Sequence, residues 1–198
     1  MDLAAHVFSA GWASGVNAYL TVAMLSLLGR SGAVEVPEQL TSDPILFGSL
    51  LMFAIEFVAD KVPYVDNVWD LVQTAFRPAI GSALGVEFAD AAAVGGQDEM
   101  LAGATGGVTA LASHLVKAGL RLGINTSPEP VSNIIASVTE DGLVAVVVAF
   151  SIEQPELAAA IALVLLAAGI TVVVLIWTRI RRALRRLMQG RPRPPPQE

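Results

Sequence analysis

Residues Leu157–Trp177 read LAAAIALVLLAAGITVVVLIW, a run without a charged side chain, and Arg179, Arg181, Arg182, Arg185 and Arg186 follow at once. A helix crosses the hydrocarbon core with roughly 20 apolar residues, and arginines gathered at one end hold that end in the cytoplasm. The run therefore predicts an integral membrane protein with a cytoplasmic C-terminus. Composition agrees. Of 198 residues, 54% are hydrophobic and 15% charged, and the mean hydropathy of +0.62 lies above the range of soluble domains.

The absence of cysteine excludes disulfides, thiolate metal sites and cysteine catalysis. His6 and His114 are too far apart in sequence to form a local metal-binding pair. Met1–Ala5 has no basic region, and Trp12, Ser14 and Asn17 interrupt the apolar stretch after it. The N-terminus is therefore read as the start of a first membrane helix and not as a signal peptide.

Working back from Leu157, six hydrophobic segments are predicted at about 8–29, 44–62, 74–95, 100–122, 132–152 and 157–177. The third is the least regular, with Pro78 opening it and Glu87 and Asp90 interrupting it. If both termini are inside, the outer loops carry Glu35, Glu38, Asp43, Asp98, Glu99, Glu153 and Glu156, with no lysine or arginine. The inner connections carry Lys61, Arg121 and the arginine tail. Only Arg30 and Arg77 stand outside this positive-inside pattern. The net charge of −6 thus reports topology and not a basic partner. Nucleic-acid binding is not expected.

The fold class expected is all-α and polytopic, with about six transmembrane helices in a cell (inner) membrane. One domain covers 1–182, in two three-helix halves at about 1–97 and 98–180, and a basic, proline-rich cytoplasmic tail covers 183–198. Ala13–Ala18 (ASGVNA) is similar to Thr105–Ala110 (TGGVTA), an offset of about 92 residues. Three helices per half would invert the second half relative to the first, an arrangement common in secondary transporters. Gly11 with Gly15, and Gly103 with Gly107, have the four-residue spacing that lets helix backbones approach closely. Beyond the last span, Ile180, Ala183, Leu184 and Leu187 share a face, so the Arg179–Arg186 segment is expected to lie on anionic headgroups. Assembly into a homo-oligomer is left open.

Charge collects around the second and third helices. Glu56 and Asp60 are four residues apart, as are Asp66 and Asp70 after Pro63. A carboxylate at the bilayer centre costs roughly 2.5–3.5 kcal/mol on insertion scales, so these acids should face the bundle or a wet cavity. The second half carries Glu129, Ser132 and Asn133 at similar depth, and His114, Lys117 and Arg121 share one face of the fourth helix. The candidate substrate- or ion-binding set is therefore Glu56, Asp60, Asp66, Asp70, Glu129, Ser132, Asn133, Lys117 and Arg121. Whether a metal joins them is not specified by these residues, and no cofactor is expected. A purely structural ion-pair network is the competing reading.

An enzyme is the less favoured class. The spacing Asp60…Asp66…Asp70 invites comparison with Mg²⁺-dependent membrane enzymes acting on lipid diphosphates. The second aspartate-rich segment those enzymes need is absent, since Glu140-Asp141 is only a pair. No phosphate loop, zinc-binding histidine pair or nucleophile elbow is present.

Several phrases of mixed polar identity occur in a characteristic order: Gly15–Thr21 (GVNAYLT), Glu56–Pro63 (EFVADKVP), Val65–Asp70 (VDNVWD), Arg77-Pro78, Lys117–Arg121 (KAGLR), Ser127–Asn133 (SPEPVSN) and Glu140-Asp141. In these the chain resembles a bacterial and plant membrane family catalogued as domain of unknown function 4126, over roughly residues 8–150. The resemblance implies a polytopic membrane protein and carries no chemistry with it. The expected function is a small transporter or channel-like protein for a cation or small polar solute. The alternative is a non-catalytic scaffold or accessory subunit.

Overall fold

Apolar runs separated by proline and glycine breaks fold into six α-helices: α1 (Leu3–Arg30), α2 (Asp43–Ala59), α3 (Val65–Ala91), α4 (Gln97–Ile124), α5 (Pro130–Glu153) and α6 (Pro155–Gln189). A 3₁₀ turn, Glu38–Thr41, precedes α2. The computed structural model describes residues 2–32, 36–62, 64–125 and 130–189, with backbone alone at 130 and 187–189. Glu129, Pro63 and the proline-rich tail from 190 lie outside the described residues.

Three of the helices are long and apolar enough to cross a membrane: Leu3–Arg30, Val131–Glu153 and Pro155–Arg186. The chain is thus all-α and has the makings of a multi-pass membrane protein. Its surface agrees. Phe47, Leu51, Leu71, Met100, Val164 and Trp177 are exposed, whereas the largest fully buried side chains include Arg77, Arg121, His114, Gln73 and Glu56. That distribution is inside-out for water and suits lipid, where apolar surface needs no cover and polar side chains must find partners within the protein.

The centre of the bundle is α1, α3 and α4, with α2 laid mainly on α1, and α5 and α6 closing the other side. Small residues set the spacing of these three. A Cβ at Gly11 would meet the Gly106 carbonyl at 2.8 Å, and one at Gly81 would meet that carbonyl at 2.7 Å. A Cβ at Gly15 would run into the Ala110 carbonyl, and one at Gly85 into that of Ala102. Such close approach lets dispersion and Cα–H contacts hold helices together where lipid supplies no hydrophobic drive. Gly103 and Gly107 do not meet the Gly11/Gly15 pair. They face α3, at Ser82, Val86 and Pro78. The four-residue spacing marks close packing at both pairs, and α4 is lined by small residues on two faces, one toward α1 and one toward α3.

The third helix also departs from expectation. It starts at Val65 and not near 74, and Pro78 lies inside it. The face bearing Asp66, Asp70, Gln73 and Arg77 is buried; its ion pairs hold the turns before the proline, and Gly81 and Gly85 pack the turns after it against α4. One backbone bond is lost without ending the helix. At the other boundary, α6 runs past 182 to Gln189. Arg30, an exception to the loop-charge pattern, pairs with Asp43 at 2.6 Å across the α1–α2 connection. Arg77, the other exception, is wholly buried.

Candidate functional site

The first helix breaks at its middle. Asn17 has φ −148° and ψ 98°, outside the helical region, which divides α1 into two half-helices. Asn17 caps the second half: its Oδ1 accepts from the Leu20 N–H at 2.9 Å, the usual role of an asparagine at a helix start. Carbonyls at the end of the first half are freed, and cations from neighbouring helices take them. Arg77 Nη1 donates to Gly15 O at 3.2 Å, and Lys117 Nζ donates to Val16 O at 3.2 Å. The negative end of one half-helix thus faces two cations. On the other side, Asn17 Nδ2 donates to Asp141 Oδ1 at 2.9 Å.

From these cations an ion-pair network spreads through α2, α3, α4 and α5. Arg77 Nη2 donates to Glu56 Oε1, and its Nη1 lies 3.4 Å from Asp70 Oδ1. Nη1 also donates to His114 Nδ1 at 2.7 Å. Because Nδ1 accepts, the neutral ring carries its proton on Nε2, which lies 2.9 Å from Thr74 Oγ1. The Thr74 hydroxyl in turn donates to the Asp70 carbonyl at 2.9 Å. His114 is therefore a neutral relay within the network.

Lys117, one turn further along α4, donates to Asp60 Oδ2 at 2.8 Å and lies 3.7 Å from both Glu56 and Glu140. Arg121 comes next. Its Nε and Nη2 grip Glu140 from α5, the shortest contact being 2.6 Å. Its Nη1 donates to Asn133 Oδ1 at 2.6 Å and to the Asp60 carbonyl at 3.1 Å, and lies 3.7 Å from Asp66. Asn133 Nδ2 donates to that same carbonyl at 2.8 Å. The Asp60 carbonyl at the end of α2 is thus taken up by two side-chain donors. Asn125 closes the end of the network, donating to Asp66 Oδ2 at 2.9 Å and Asn67 Oδ1 at 2.8 Å.

The family model described as Domain of unknown function (DUF4126) matches residues 4–175. The chain belongs to that family. No curated protein and no solved structure matches it. The family's span takes in the whole network and leaves out the Arg179–Arg186 segment.

Of the nine residues expected to form a site, seven come together here: Glu56, Asp60, Asp66, Asp70, Lys117, Arg121 and Asn133. Ser132 is half-buried on the first turn of α5 and makes no hydrogen bond to the network among the described residues. Glu129 is outside those residues. The candidate set left out Asn17, Arg77, His114, Glu140 and Asp141, although the sequence reading places His114 on the same face of α4 as Lys117 and Arg121. Arg77 was the detectable one, as an arginine inside an apolar span has few reasons to be there. Asn17 sits in a run of small residues where nothing local announces a break.

Three features set what the site can do. Glu56, Asp60, Asp66 and Asp70 are at most 3% exposed. Oxygens of Glu56, Asp60, Asp66, Asp70 and Asp141 are buried without a hydrogen-bond partner. Glu140, with a side chain 17% exposed, lines two cavities: one of about 640 Å³ between α4, α5 and α6, and one of about 110 Å³ beside Lys117.

Proposed function

We propose that the protein is a small proton-linked carrier of polar solutes, held in the membrane with its arginine run on the cytoplasmic side. One observation carries this reading. Six carboxylates, Glu56, Asp60, Asp66, Asp70, Glu140 and Asp141, gather about three buried cations, Arg77, Lys117 and Arg121, at a broken helix. An uncompensated carboxylate in a dry interior costs several kcal/mol, so the excess acid must hold protons or a bound cation. Among the described residues no three histidines or acids are placed to hold a metal ion together, which favours the proton. Half-helices that end inside a membrane are also how many carriers present dipole ends to a substrate. The first half of α1 runs beside α4 in the same direction, Gly11 next to Gly106 and Val16 next to Lys117, so the reading does not rest on an inverted relation between the two halves.

The loop charges and the arginine run support the orientation, with Arg179–Arg186 resting on anionic headgroups. Alkaline phosphatase fused after Arg186 should be inactive and green fluorescent protein there should fluoresce. An active phosphatase at that position reverses the topology.

Proteoliposomes loaded with a pH dye should acidify when a suitable small polar solute is added from a panel. Glu140→Gln, which removes the acid lining the open cavities, should abolish that signal while the protein still purifies as a folded species. Infrared difference spectra recorded as the pH is varied should show buried carboxylic acid bands if the network takes up protons. If no solute moves protons and no buried carboxyl titrates, the second reading holds. That reading is a membrane scaffold, favoured by the fact that Glu56, Asp60, Asp66 and Asp70 line none of the described cavities.

A further inference from the structure

A cavity of about 390 Å³ lies between α1, α2 and α3, remote from the ion-pair network in its lining. Its walls are apolar, with Val22, Leu40, Met52, Ile80 and Leu84 among them. Gly48 helps to create it. A Cβ built on Gly48 meets nothing within 4 Å, so this lining position of α2 is left open by the lack of a side chain. The volume falls within the roughly 300–1,000 Å³ of small-molecule sites.

Its polar groups are not spread evenly. Glu87, in the last turns of α3, and Gln39, on the 3₁₀ turn, both line it. The hydroxyl of Tyr19, also in the lining, accepts from Gln73 Nε2 at 3.2 Å and so is already engaged. Glu87 is not engaged. Its Oε2 is buried with no hydrogen-bond partner, and Asp90 follows it three positions later on the same helix. Among the described residues neither acid forms an ion pair. The nearby arginine at the end of α1, Arg30, is taken by Asp43.

A buried carboxylate oxygen without a donor is costly, and a charged N–H donor is its strongest complement. Apart from Gln39, Ser49 and Tyr19, the remainder of the lining is apolar. We propose that this cavity binds a lipophilic amine, its hydrocarbon body between α2 and α3 and its ammonium against Glu87. This site is independent of the proton-linked network and stands or falls separately from it. A fatty acid of the same length would place a second carboxylate beside Glu87 and Asp90 and should be rejected.

Two probes test this on the full chain in neutral-lipid vesicles: dodecylamine bearing a photoreactive diazirine, and dodecanoic acid bearing the same group. The amine should label peptides from α2 and the second half of α3, saturably. Unlabelled dodecylamine should compete. The acid should label them about tenfold less, the ratio that roughly 1.4 kcal/mol of charge-assisted hydrogen bonding supplies. The open space at the Gly48 Cβ leaves room for a larger side chain, so Gly48→Phe should take up cavity volume and remove labelling while leaving the melting temperature in place. Glu87→Gln keeps the shape and removes the charge, and it should bring the amine down to the level of the acid. Equal labelling by both probes, unsaturable labelling of the kind bulk lipid gives, or full labelling of a folded Gly48→Phe protein would each overturn the assignment.

Discussion

Replacing Arg77 with methionine should leave a protein that no longer holds its fold in mild detergent. Arg77 is fully buried and ties together α1, through the Gly15 carbonyl, α2, through Glu56, and α4, through His114. Methionine fits the volume and supplies none of these donors. Glu56 and Asp70 would then face an apolar neighbour with their charge reduced in compensation, and the α1 break would lose a cap. Removing one partner of a buried pair costs about 3–5 kcal/mol, comparable to the whole stability of many domains. Adding Glu56→Gln should recover part of the loss, because the deficit comes from a stranded carboxylate as much as from the missing guanidinium. The check is thermal unfolding followed by size-exclusion chromatography. A single variant that melts within a few degrees of the parent would show that Arg77 is not the centre of the bundle.

Gly15→Leu should be nearly as damaging, by a different route. The side chain has nowhere to go, since its first atom already overlaps the Ala110 carbonyl and Ser113 Oγ. Backbone cannot rotate away as a flexible side chain can, so α1 and α4 must separate along the crossing. Overpacking costs typically about 1–3 kcal/mol, and a backbone clash at a glycine crossing belongs at or above the top of that range. Gly107→Leu should cost less, as its Cβ would stand 3.2 Å from Pro78 O and 3.3 Å from Ser82 Cβ. Gly48→Leu should cost almost nothing, because the space around it is open. Melting temperatures in one detergent give the order directly. Equal values for Gly15→Leu and Gly48→Leu would mean that the close crossing contributes nothing to stability.

Much of the architecture was legible from the chain alone. Helix positions and their hinges follow from local apolar runs and from Pro, Gly and Asp breaks, and insertion depends on those same runs. The third helix was misplaced at its start because Asp66 and Asp70 look like loop residues. They lie in a helix because Arg77, Arg121 and Asn125, supplied from the same and a neighbouring helix, take up their charge or one of their oxygens. A charged segment is helical here for tertiary reasons that a hydropathy window cannot register.

The amino-acid sequence by itself determined the class, the pattern of loop charges and the presence of too many acids for a lipid-facing surface. Each of these is local: an apolar run, a cluster of arginines, a carboxylate where none belongs. The tertiary structure alone decided which charge meets which. Glu56 and Arg77 are 21 residues apart, Asp60 and Lys117 are 57 apart, and Asn17 and Asp141 are 124 apart. It also decided that α1 breaks at Asn17, since freed carbonyls survive in a membrane only where donors from other helices reach them. Those donors are Arg77 and Lys117. They are brought to the break by glycine crossings between α1, α3 and α4, and a crossing is a property of helices already packed.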